Sequence, residues 1–590
     1  MTSFELPIYY NESKKTLPEQ IDSDLELSVL YDDIFSSDNK FGNLTQDMWK
    51  QNYTNDKKYL KDTQKLLKNK FSIIKDNNVQ DNNVQDNNVQ DNNVQDNSNQ
   101  LLAIWDKINI NNNNHHNDTN NSNGDDDLGF HSKYQYIEWE KLYFLNKNSE
   151  VLQLMSIYNL SSPIISLCIP IIFLLIPFII LRVQGTNLTV KNYYDILLVV
   201  FQKHQLGQLF TLSSATWDKR IYILISLVFY ILQIYQNIRS CISFYNNMKV
   251  IHAELFELKE HVNNTLQYYD LFENICEELT TYDKFITNMK IHKRKFSIMK
   301  REIDTLVAYK ISLNNFKQIG KVMKLYYELY QCHELKNSLD YSLYFCGYVD
   351  NLCCLQQKID TSIIGKCKFT KNKTKFVNAF YPMIQEKPIK NTYNLDKNIL
   401  ITGPNAAGKT TIVKTTLFNI IISQQIGYGF YDKAYLHIYD FIHSYINIPD
   451  TSGRDSLFQA EARRCENILT VIENNKEERH FCVFDELYSG TNPYEAIGTG
   501  VSFLKYLNKY SSVSFIITTH FIELCNRLDN NKKILNCNMK VNAHDEKLEY
   551  KYKIIEGISK IKGGVNVLKD LNYPDEIIEN TKKIIDDLII

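Results

Sequence analysis

The chain has 590 residues with a formal net charge of −2, and 44% of its residues are apolar. A chain of this length and apolar content has room for two or more packed units, and its near-neutral charge excludes proteins whose overall basic composition directs them to nucleic acid. Its 12 cysteines are scattered without a C-x-x-C pair, which argues against a zinc site or a disulfide framework and fits a reducing compartment.

The N-terminal part of the chain is polar and carries no recognisable catalytic pattern. Residues 1–70 form a polar N-terminal region, and residues 71–130 form a low-complexity, Asn-rich linker. Within that linker, Asp-Asn-Asn-Val-Gln repeats in tandem over residues 76–95. Such tracts bury too little apolar surface to offset the chain entropy lost on folding. The sequence therefore predicts a disordered N-terminal region.

Two apolar runs within residues 151–238 predict a two-helix membrane hairpin. No charged side chain lies within residues 151–181 or within residues 221–238. Each run reaches the ~18 to 20 residues that a helix needs to cross the core of a bilayer. The alternative is a pair of helices buried in a soluble core, because the second run contains Gln and Tyr residues.

Residues 239–370 show a helical pattern. Apolar residues recur at three- and four-residue spacing over residues 251–269, which predicts one buried stripe on a long helix. A basic cluster follows at residues 290–301. It is either a solvated face or, at the tip of a helix, a contact for nucleic-acid phosphates or anionic lipid headgroups.

A G-x-x-x-x-G-K-T pattern follows a short apolar run at residues 399–402. In such a loop the backbone N–H groups point at phosphates, the lysine reaches the outer phosphates, and the threonine hydroxyl binds Mg²⁺. The apolar segment behind it predicts a helix whose positive N-terminus faces the nucleotide. The pattern predicts that ATP and Mg²⁺ are bound as cofactors. The predicted cofactor-binding residues are Gly403, Pro404, Asn405, Ala406, Ala407, Gly408, Lys409, Thr410 and Thr411.

Two further apolar strands end in residues that suit the same site. One strand delivers Asp485 and Glu486, and the next ends at His520. Asp485 is predicted to be a Mg²⁺ ligand together with Thr410, and Glu486 to polarise the attacking water. Strand C-termini in open α/β sheets meet at ligand sites, so His520 is predicted to sense the γ-phosphate.

The phosphate-binding loop resembles that of the MutS family of ABC-related ATPases. Four further segments resemble family segments in the same order, and together the match covers roughly residues 340–590. They are the signature segment 453–461 with Ser456 followed by residues 467–469, and the segment 485–496 with Gly490, Thr491 and Asn492. The other two are the switch-histidine segment 518–524, and a C-terminal glycine turn from Gly557 to Gly564 followed by a closing helix at residues 571–578.

This resemblance implies a P-loop, ABC-type ATPase domain at residues 371–590, with a mostly parallel sheet flanked by helices. It also implies a homodimer, or a dimer with a related MutS-like subunit, in which Ser456 contacts the nucleotide held by the partner. Glu486, His520 and Ser456 would then be the catalytic residues. The helices of residues 239–370 would correspond to lever helices that connect the ATPase to DNA-gripping parts.

The chain departs from the family pattern in several places. Ala406 and Ala407 stand where the family usually has Met and Gly, and Asp455 is an extra residue before Ser456. A loop with alanine still closes, so we expect nucleotide binding to survive better than the hydrolysis rate. The segment 490–495 resembles the branch of the family that lacks a mismatch-reading domain. No Phe-x-Glu motif lies near the N-terminus, so a mismatch-reading role has no support there.

The predicted fold class is therefore α/β: a C-terminal ATPase domain preceded by an all-α arm, a membrane hairpin and a disordered N-terminal region. The predicted function is ATP binding and hydrolysis coupled to dimer closure, with DNA as a partner in mismatch repair or the processing of DNA structures. One alternative is a membrane-anchored mechanical or scaffolding ATPase that does not bind DNA. Another is an ATP-binding assembly module with negligible turnover.

The predicted location is a membrane, with the ATPase domain facing the cytosol or the side contiguous with the nucleus. The loop between the two apolar runs carries basic residues at 182, 191, 203, 219 and 220. By the positive-inside rule this loop would itself be cytosolic, which conflicts with that orientation. We base the predicted orientation on the need of the ATPase domain for cytosolic ATP.

Overall fold

The computed structural model describes most of the chain and divides it into two compact units. The first unit takes in Met1–Asn87, Gln267–His292 and Asp340–Ile590, and the second takes in Asn88–Leu266 and Lys293–Leu339. The residues described are 4–36, 40–69, 101–106, 125–185, 189–203, 207, 216–307, 313–384, 386–446, 448, 456–544, 547–559, 561, 565, 568–569 and 571–587.

Strands and helices are numbered here in chain order. The strands are β1 (Lys14–Thr16), β2 (Asn52–Thr54), β3 (Gly365–Thr370), β4 (Lys375–Ala379), β5 (Asn391–Asn394), β6 (Asn398–Thr402), β7 (Tyr428–Gly429), β8 (Lys433–His437), β9 (Phe441–Tyr445), β10 (His480–Asp485), β11 (Val513–Thr518), β12 (Ile534–His544) and β13 (Lys547–Glu556). The helices of the first 360 residues are α1 (Glu19–Leu25), α2 (Leu27–Phe35), α3 (Lys40–Trp49), α4 (Lys57–Leu66), α5 (Asp125–Tyr134), α6 (Ser149–Val183), α7 (Val190–Lys203), α8 (Trp217–Cys276), α9 (Asp283–Asp304), α10 (Leu313–Gln331) and α11 (His333–Asp360). Those that follow are α12 (Lys409–Ile426), α13 (Leu457–Asn474), α14 (Pro493–Leu507), α15 (Ile522–Leu528) and α16 (Asp575–Asp587).

The central sheet of the first unit has six strands in the spatial order β13-β12-β6-β11-β10-β9. All neighbouring pairs are parallel except β12 and β13, so the sheet is mostly parallel, as the sequence predicts. Every residue of β6 is buried, as expected for a strand in a parallel sheet that is covered on both faces. Because β6, β11 and β10 are adjacent and parallel, their C-terminal ends lie side by side.

Helices cover this sheet. Helix α12 packs on β10 and β11. Alternate residues of β10, Cys482 and Phe484, enter an apolar cluster with side chains of α13, α14 and α15, among them Ile468, Leu504 and Leu524. Successive side chains of a strand point to opposite faces, so each strand contributes to two apolar layers.

A second sheet in the same unit has five strands in the order β5-β4-β8-β3-β7. Only the pair β3 and β8 is parallel. Strand β3 ends at residue 370, just before the boundary predicted for the ATPase domain. It nevertheless belongs to the α/β part of the unit, because Cys367 and Phe369 are buried and pair with β8 residues.

The expectation of a disordered N-terminal region is wrong for residues 4–36 and 40–69. These residues form the antiparallel pair β1–β2 and helices α1 to α4, and β2 and α4 pack on α12. Although the segment is polar in overall composition, its helices contain apolar residues that are fully buried, including Leu25, Leu30 and Ile34. The tandem repeat at residues 76–95 lies outside the described residues.

Polar residues bind this N-terminal segment to α12. The Gln425 amide donates to the backbone oxygens of Trp49 at 2.6 Å and Asn52 at 2.9 Å. Its Oε1 accepts a hydrogen bond from the Tyr31 hydroxyl at 2.5 Å. The Gln64 amide donates to the backbone oxygen of Gly427 at 2.6 Å. The buried glutamines are satisfied only because the N-terminal segment is folded, so this segment is part of the first unit's core.

The second unit has a helical fold with its own apolar core. That core includes the predicted stripe on α8, where Ile251, Leu255, Leu258 and Val262 are fully buried. The basic cluster 290–301 lies within α9 and not at a helical tip. Two lysines of the cluster form ion pairs. Lys290 pairs with Glu273 at 2.9 Å within the first unit, and Lys295 pairs with Glu334 at 3.2 Å within the second.

The two predicted apolar runs lie in α6 and α8, with the further helix α7 between them in the chain. Both helices are long and apolar enough to cross a membrane, over Ser149–Cys168 and within Trp217–Cys276. Only 17% and 6% of their most apolar windows are buried. Most residues of these windows are therefore exposed, unlike those of a helix in the core of a soluble protein.

Candidate functional site

The predicted phosphate-binding loop connects β6 to α12. Gly403 has φ 155° and Gly408, the N-cap of α12, has φ 89°, a left-handed conformation that glycine adopts without a Cβ clash. Ala406 also takes a left-handed φ of 61°, whereas Ala407 is not among the residues with positive φ. The alanine at the usual glycine position therefore adds no left-handed strain, and the loop closes over the start of the helix.

The Lys409 side chain is directed back into this loop. Its Nζ donates to the backbone oxygens of Gly403 at 3.1 Å and Pro404 at 3.2 Å, and the residue is only 5% exposed. Burial lowers the pKa of the Lys409 ammonium, while the carboxylates of Glu486 and Asp485 act in the opposite direction. The buried cation thus lies among oxygen acceptors at the N-terminus of α12.

Thr410 and Asp485 meet where the loop approaches the end of β10. The Thr410 hydroxyl donates to Asp485 Oδ2 at 2.8 Å, and the Thr518 hydroxyl donates to Asp485 Oδ1. Thr518 also accepts a hydrogen bond from the backbone N–H of Glu486 at 3.1 Å. Thr518, at the end of β11, orients the carboxylate from the side opposite Thr410. The sequence motif contains Thr518, but its orienting role depends on the pairing of β10 with β11.

Glu486 and His520 lie next to this group. Glu486 has a left-handed φ of 54°, and its Oε1 is 2.7 Å from His520 Nε2. The same Nε2 is 3.2 Å from Lys409 Nζ. Since an ammonium and a carboxylate cannot both bond to one ring nitrogen in one protonation state, Nε2–H donating to Glu486 is the state consistent with an ionised carboxylate. The hydrogen bond from His520 holds the pKa of Glu486 below its usual value, despite the opposing effect of burial.

Ser456 lies apart from this group, at the start of α13. Its hydroxyl accepts from the backbone N–H of Gln459 at 3.3 Å, and the Gln459 side chain accepts from the Ser456 N–H at 2.9 Å. This capping box leaves Ser456 exposed at a helix N-terminus. Gly453 and Asp455 of the predicted signature segment lie outside the described residues, as do Gly563 and Gly564 of the C-terminal turn.

Glu461, to which the sequence interpretation gave no role, connects α13 to the backbone after Glu486. The residue is 2% exposed, and its carboxylate accepts from Ser489 N–H and Oγ, each at 3.0 Å, and from Gly490 N–H at 3.1 Å. A Cβ added at Gly490 would lie 2.8 Å from the backbone nitrogen of Phe458, so only glycine fits this close approach. Glu461 lies on the same face of α13 as the buried apolar residues Cys465, Ile468 and Ile472. A lone carboxylate on an apolar helix face is the sequence signal that indicates such a buried acceptor.

A cleft opens beside the loop. It is lined by Thr402, Gly403, Pro404, Asn405, Thr519, His520, Ile522, Ser559 and Ile561. The Ser559 N–H donates to Thr402 Oγ1 at 2.8 Å, so the segment after β13 forms one wall. The cleft therefore lies at the C-terminal edge of the parallel sheet, where α/β folds bind ligands.

Comparison with known proteins yields matches over the same part of the chain. Residues 399–589 match the family model of MutS domain V. A protein named DNA mismatch repair protein MutS from Prochlorococcus marinus (strain MIT 9301) is 28% identical over 228 residues, covering 37% of this chain and 24% of that protein. The proteins of the same name from Persephonella marina and Staphylococcus haemolyticus are 29% and 28% identical over 35% and 38% of this chain and over 24% and 26% of their own lengths.

The matched segment contains the loop, β10, β11, α13 and the cleft. The chain spans about a quarter of the length of the curated relatives it matches. The similarity therefore concerns the C-terminal domain and leaves most of each relative unmatched. The C-terminal part of the chain, residues 399–589, is therefore similar to MutS domain V.

Proposed function

We propose that the C-terminal domain is a P-loop, ABC-type ATPase that binds ATP with Mg²⁺ and couples hydrolysis to the closure of a dimer. The observation that carries this proposal is the 2.8 Å hydrogen bond between the Thr410 hydroxyl and Asp485. It places together two oxygen ligands of the kind that Mg²⁺ prefers, directly after the loop that would hold the phosphates. Mg²⁺ in proteins is typically held by one or two such side chains together with nucleotide phosphates and water. When bound there, Mg²⁺ would neutralise charge on the transferring phosphate.

Lys409 and the loop would hold the phosphates. The Lys409 ammonium now donates to two loop carbonyls, and phosphate oxygens are stronger acceptors for a buried cation. The N-terminus of α12 adds free backbone N–H groups and the positive end of the helix dipole. Together these groups favour a polyphosphate over a neutral ligand.

Glu486 would orient and deprotonate the attacking water. Its lowered pKa keeps the carboxylate ionised at neutral pH, and the hydrogen bond from His520 fixes one of its two oxygens. The other oxygen is left to accept a hydrogen bond from water. His520 lies within hydrogen-bond distance of both Glu486 and Lys409, so its position responds to whatever occupies the loop.

Ser456 would complete the site of a partner subunit. Among the described residues, its hydrogen bonds are confined to its own helix turn, which leaves the exposed helix N-terminus free to face a second molecule. Glu461 ties the same helix to the loop that follows Glu486. A change at the hydrolytic carboxylate can therefore reach the dimer surface through one buried residue.

We propose that the chain acts on DNA, in mismatch repair or in the processing of DNA structures. The names of the relatives support this proposal. A membrane location is proposed from the two long apolar helices with mostly exposed windows. These windows also favour a second candidate function, a membrane-anchored mechanical or scaffolding ATPase that does not bind DNA. Binding of DNA by the full chain in detergent would separate the two.

Two substitutions test the ATPase proposal because one should prevent ATP binding and the other should slow hydrolysis. Lys409→Ala should abolish ATP binding, since the loop loses its only buried cation that reaches the phosphates. Glu486→Gln should retain binding and lower turnover by on the order of a hundredfold or more. Binding is measured with a fluorescent ATP analogue, and turnover by phosphate release. Unchanged turnover in Glu486→Gln would contradict the role of Glu486.

A further inference from the structure

One face of the five-stranded sheet is dominated by lysines. On β3, Lys366 and Lys368 are exposed, while the alternating residues Cys367 and Phe369 are buried. The register pairs Lys366 of β3 with Lys433 of β8. Since paired residues of neighbouring strands point to the same side, these lysines share the solvent face of the sheet.

The cluster extends to both sides of β3 and β8. Lys375 of β4 pairs with Tyr435, as does Lys368 of β3, so both lysines flank the Tyr435 ring. On the other side, Lys61 and Lys68 of the N-terminal segment lie close enough to Lys366 to disfavour its charged form. We call Lys61, Lys68, Lys366, Lys368, Lys375 and Lys433 the lysine face.

The lysine face has no counter-charge among the residues that the structure describes. None of the six lysines forms an ion pair there, and Asp432, next to Lys433, is occupied by Lys390 at 2.8 Å. Burial and the charges of Lys68 and Lys61 lower the pKa of Lys366. A hydrogen bond from Lys433, together with the charges of the neighbouring lysines, lowers the pKa of the Tyr435 hydroxyl. In a chain of net charge −2, these six lysines concentrate positive charge that no described carboxylate balances. Their mutual repulsion would be relieved by a polyanion.

The remaining surface of this face indicates which polyanion fits. The other solvent-side residues of β3, β4 and β8 are Thr370, Val377, Tyr435 and His437. Burial and the nearby Arg479 lower the pKa of His437 to about 4, so it is neutral at physiological pH. Surfaces that bind a bilayer insert large apolar side chains, and these strands offer one valine. A rigid, polar, basic face suits a nucleic-acid backbone, which is bound chiefly by lysine and arginine.

We propose that the lysine face binds the phosphate backbone of duplex DNA, independently of sequence. This surface is formed by β3, β4, β8 and α4 and is separate from the nucleotide cleft at the ends of β6, β10 and β11. None of its lysines belongs to the basic cluster 290–301. The inference rests on the proposed DNA-binding function, for which it supplies the contact surface within the C-terminal α/β unit.

The test uses the full chain in detergent and a fluorescein-labelled DNA duplex of arbitrary sequence. Binding is followed by fluorescence anisotropy at 50 to 200 mM salt, compared between wild type and the triple variant Lys366→Gln/Lys368→Gln/Lys433→Gln. Each phosphate contact contributes about 0.9 to the slope of log affinity against log salt. We expect the variant to lose two to three units of that slope, roughly, and to bind at least about tenfold more weakly at low salt.

The matched control is Lys476→Gln/Lys505→Gln/Lys532→Gln, which removes three exposed lysines from the same unit at other places. It should bind DNA like wild type, and both triple variants should retain wild-type ATP turnover, which shows that they are folded.

Three outcomes would overturn the inference. If wild type does not bind the duplex, the proposed DNA-binding function fails, and the lysine face with it. If wild type binds and the lysine-face variant has unchanged affinity and slope, the inference alone fails. If the variant instead loses binding to vesicles containing phosphatidylserine and keeps DNA binding, the face is a lipid surface.

Discussion

Glu461 is the residue through which the helix carrying Ser456 contacts the backbone behind Glu486. Its carboxylate accepts three hydrogen bonds at 3.0 to 3.1 Å from Ser489 and Gly490 while the residue is almost fully buried. Donors of buried backbone that lose their acceptor cost about 1 to 3 kcal/mol each. The geometry of the proposed hydrolytic site therefore depends on a residue that does not line the cleft.

Replacing Glu461 by Gln should lower both stability and turnover. The amide can still accept with its oxygen, but its NH₂ group would face the N–H of Gly490, so this half-buried donor is left unpaired. We expect a loss of about 1 to 3 kcal/mol in the free energy of unfolding, with a lower kcat and a nearly unchanged KM for ATP. Thermal melts and phosphate-release kinetics measure both effects.

Glu466→Gln is the control for Glu461→Gln, because Glu466 lies on the exposed side of the same helix. It should leave the melting temperature and kcat unchanged. A Glu461→Gln protein with wild-type kcat would show that the loop after Glu486 is held by other contacts.

At the scale of the element, the N-terminal segment behaves as part of the C-terminal domain. Its β2 and α4 pack on α12, and its backbone satisfies buried amides of that helix. Asp24 of α1 accepts a hydrogen bond from Ser444 of β9 at 2.5 Å and lies 3.8 Å from Arg464 of α13. Burial raises the pKa of Asp24, although Ser444 and Arg464 favour its charged form. The segment thus contacts both the phosphate-loop helix and the helix that begins at Ser456.

Deleting residues 1–69 should therefore prevent the C-terminal domain from folding. The deletion leaves the Gln425 side chain and the backbone oxygens of Cys367 and Gly427, which accept from Gln64, without these partners. It also exposes the apolar residues of α12 that these helices cover. We expect aggregated protein without ATP binding, measured by size-exclusion chromatography in detergent and by the fluorescent ATP analogue. Deleting only residues 76–95 removes the tandem repeat and should leave both measurements at wild-type values. Normal ATP binding after the 1–69 deletion would contradict this role of the segment.

The parts of the fold that follow from local sequence were predictable, and those that depend on distant pairing were not. Strand ends carry the phosphate loop, Asp485, Glu486 and His520. The order of strand, loop and helix around the phosphate loop can be predicted from a few consecutive residues. The contacts of Glu461 require knowing that α13 packs beside residues 489–490. The folding of residues 4–69 depends on partners near residue 425, and composition reports only that these residues are polar. A charge run does not reveal where a helix ends, so the sequence left open that the basic cluster 290–301 lies at the tip of a helix, whereas it lies within α9.

At the scale of the whole molecule, the proposed dimer predicts complementation between two inactive subunits. Ser456→Arg should block the partner's site, and Lys409→Ala should inactivate its own. A heterodimer of the two retains one intact combination, the Lys409 of one subunit with the Ser456 of the other. Each heterodimer should show up to about half of the turnover of a wild-type dimer, because one of its two sites is intact. Mixtures that form dimers but stay inactive would show that Ser456 does not act across the interface.

The proposed membrane location predicts that the full chain resists extraction with alkaline carbonate. Lysines at exposed positions of the two apolar runs, residues 151–181 and 221–238, should release it, because a charge at the centre of a bilayer is costly. The variant replaces Leu175, Ile179, Val228 and Leu232, which are 46 to 56% exposed. A control with lysines at four exposed polar positions of the first unit should remain in the membrane pellet. Quantitative release of the wild-type chain would contradict the membrane location.

The docking of the N-terminal segment on α12 also constrains how the chain is made. Tyr31 and its acceptor Gln425 are separated by 394 residues. At a synthesis rate of about 5 to 20 residues per second, the N-terminal helices wait about 20 to 80 s before their binding surface emerges from the ribosome. During that interval their native partners on α12 are absent, while the apolar runs of α6 and α8 are synthesised. We therefore expect newly made chains to depend on chaperones that bind the first 70 residues, and to be most vulnerable to misfolding when translation pauses between residues 70 and 425.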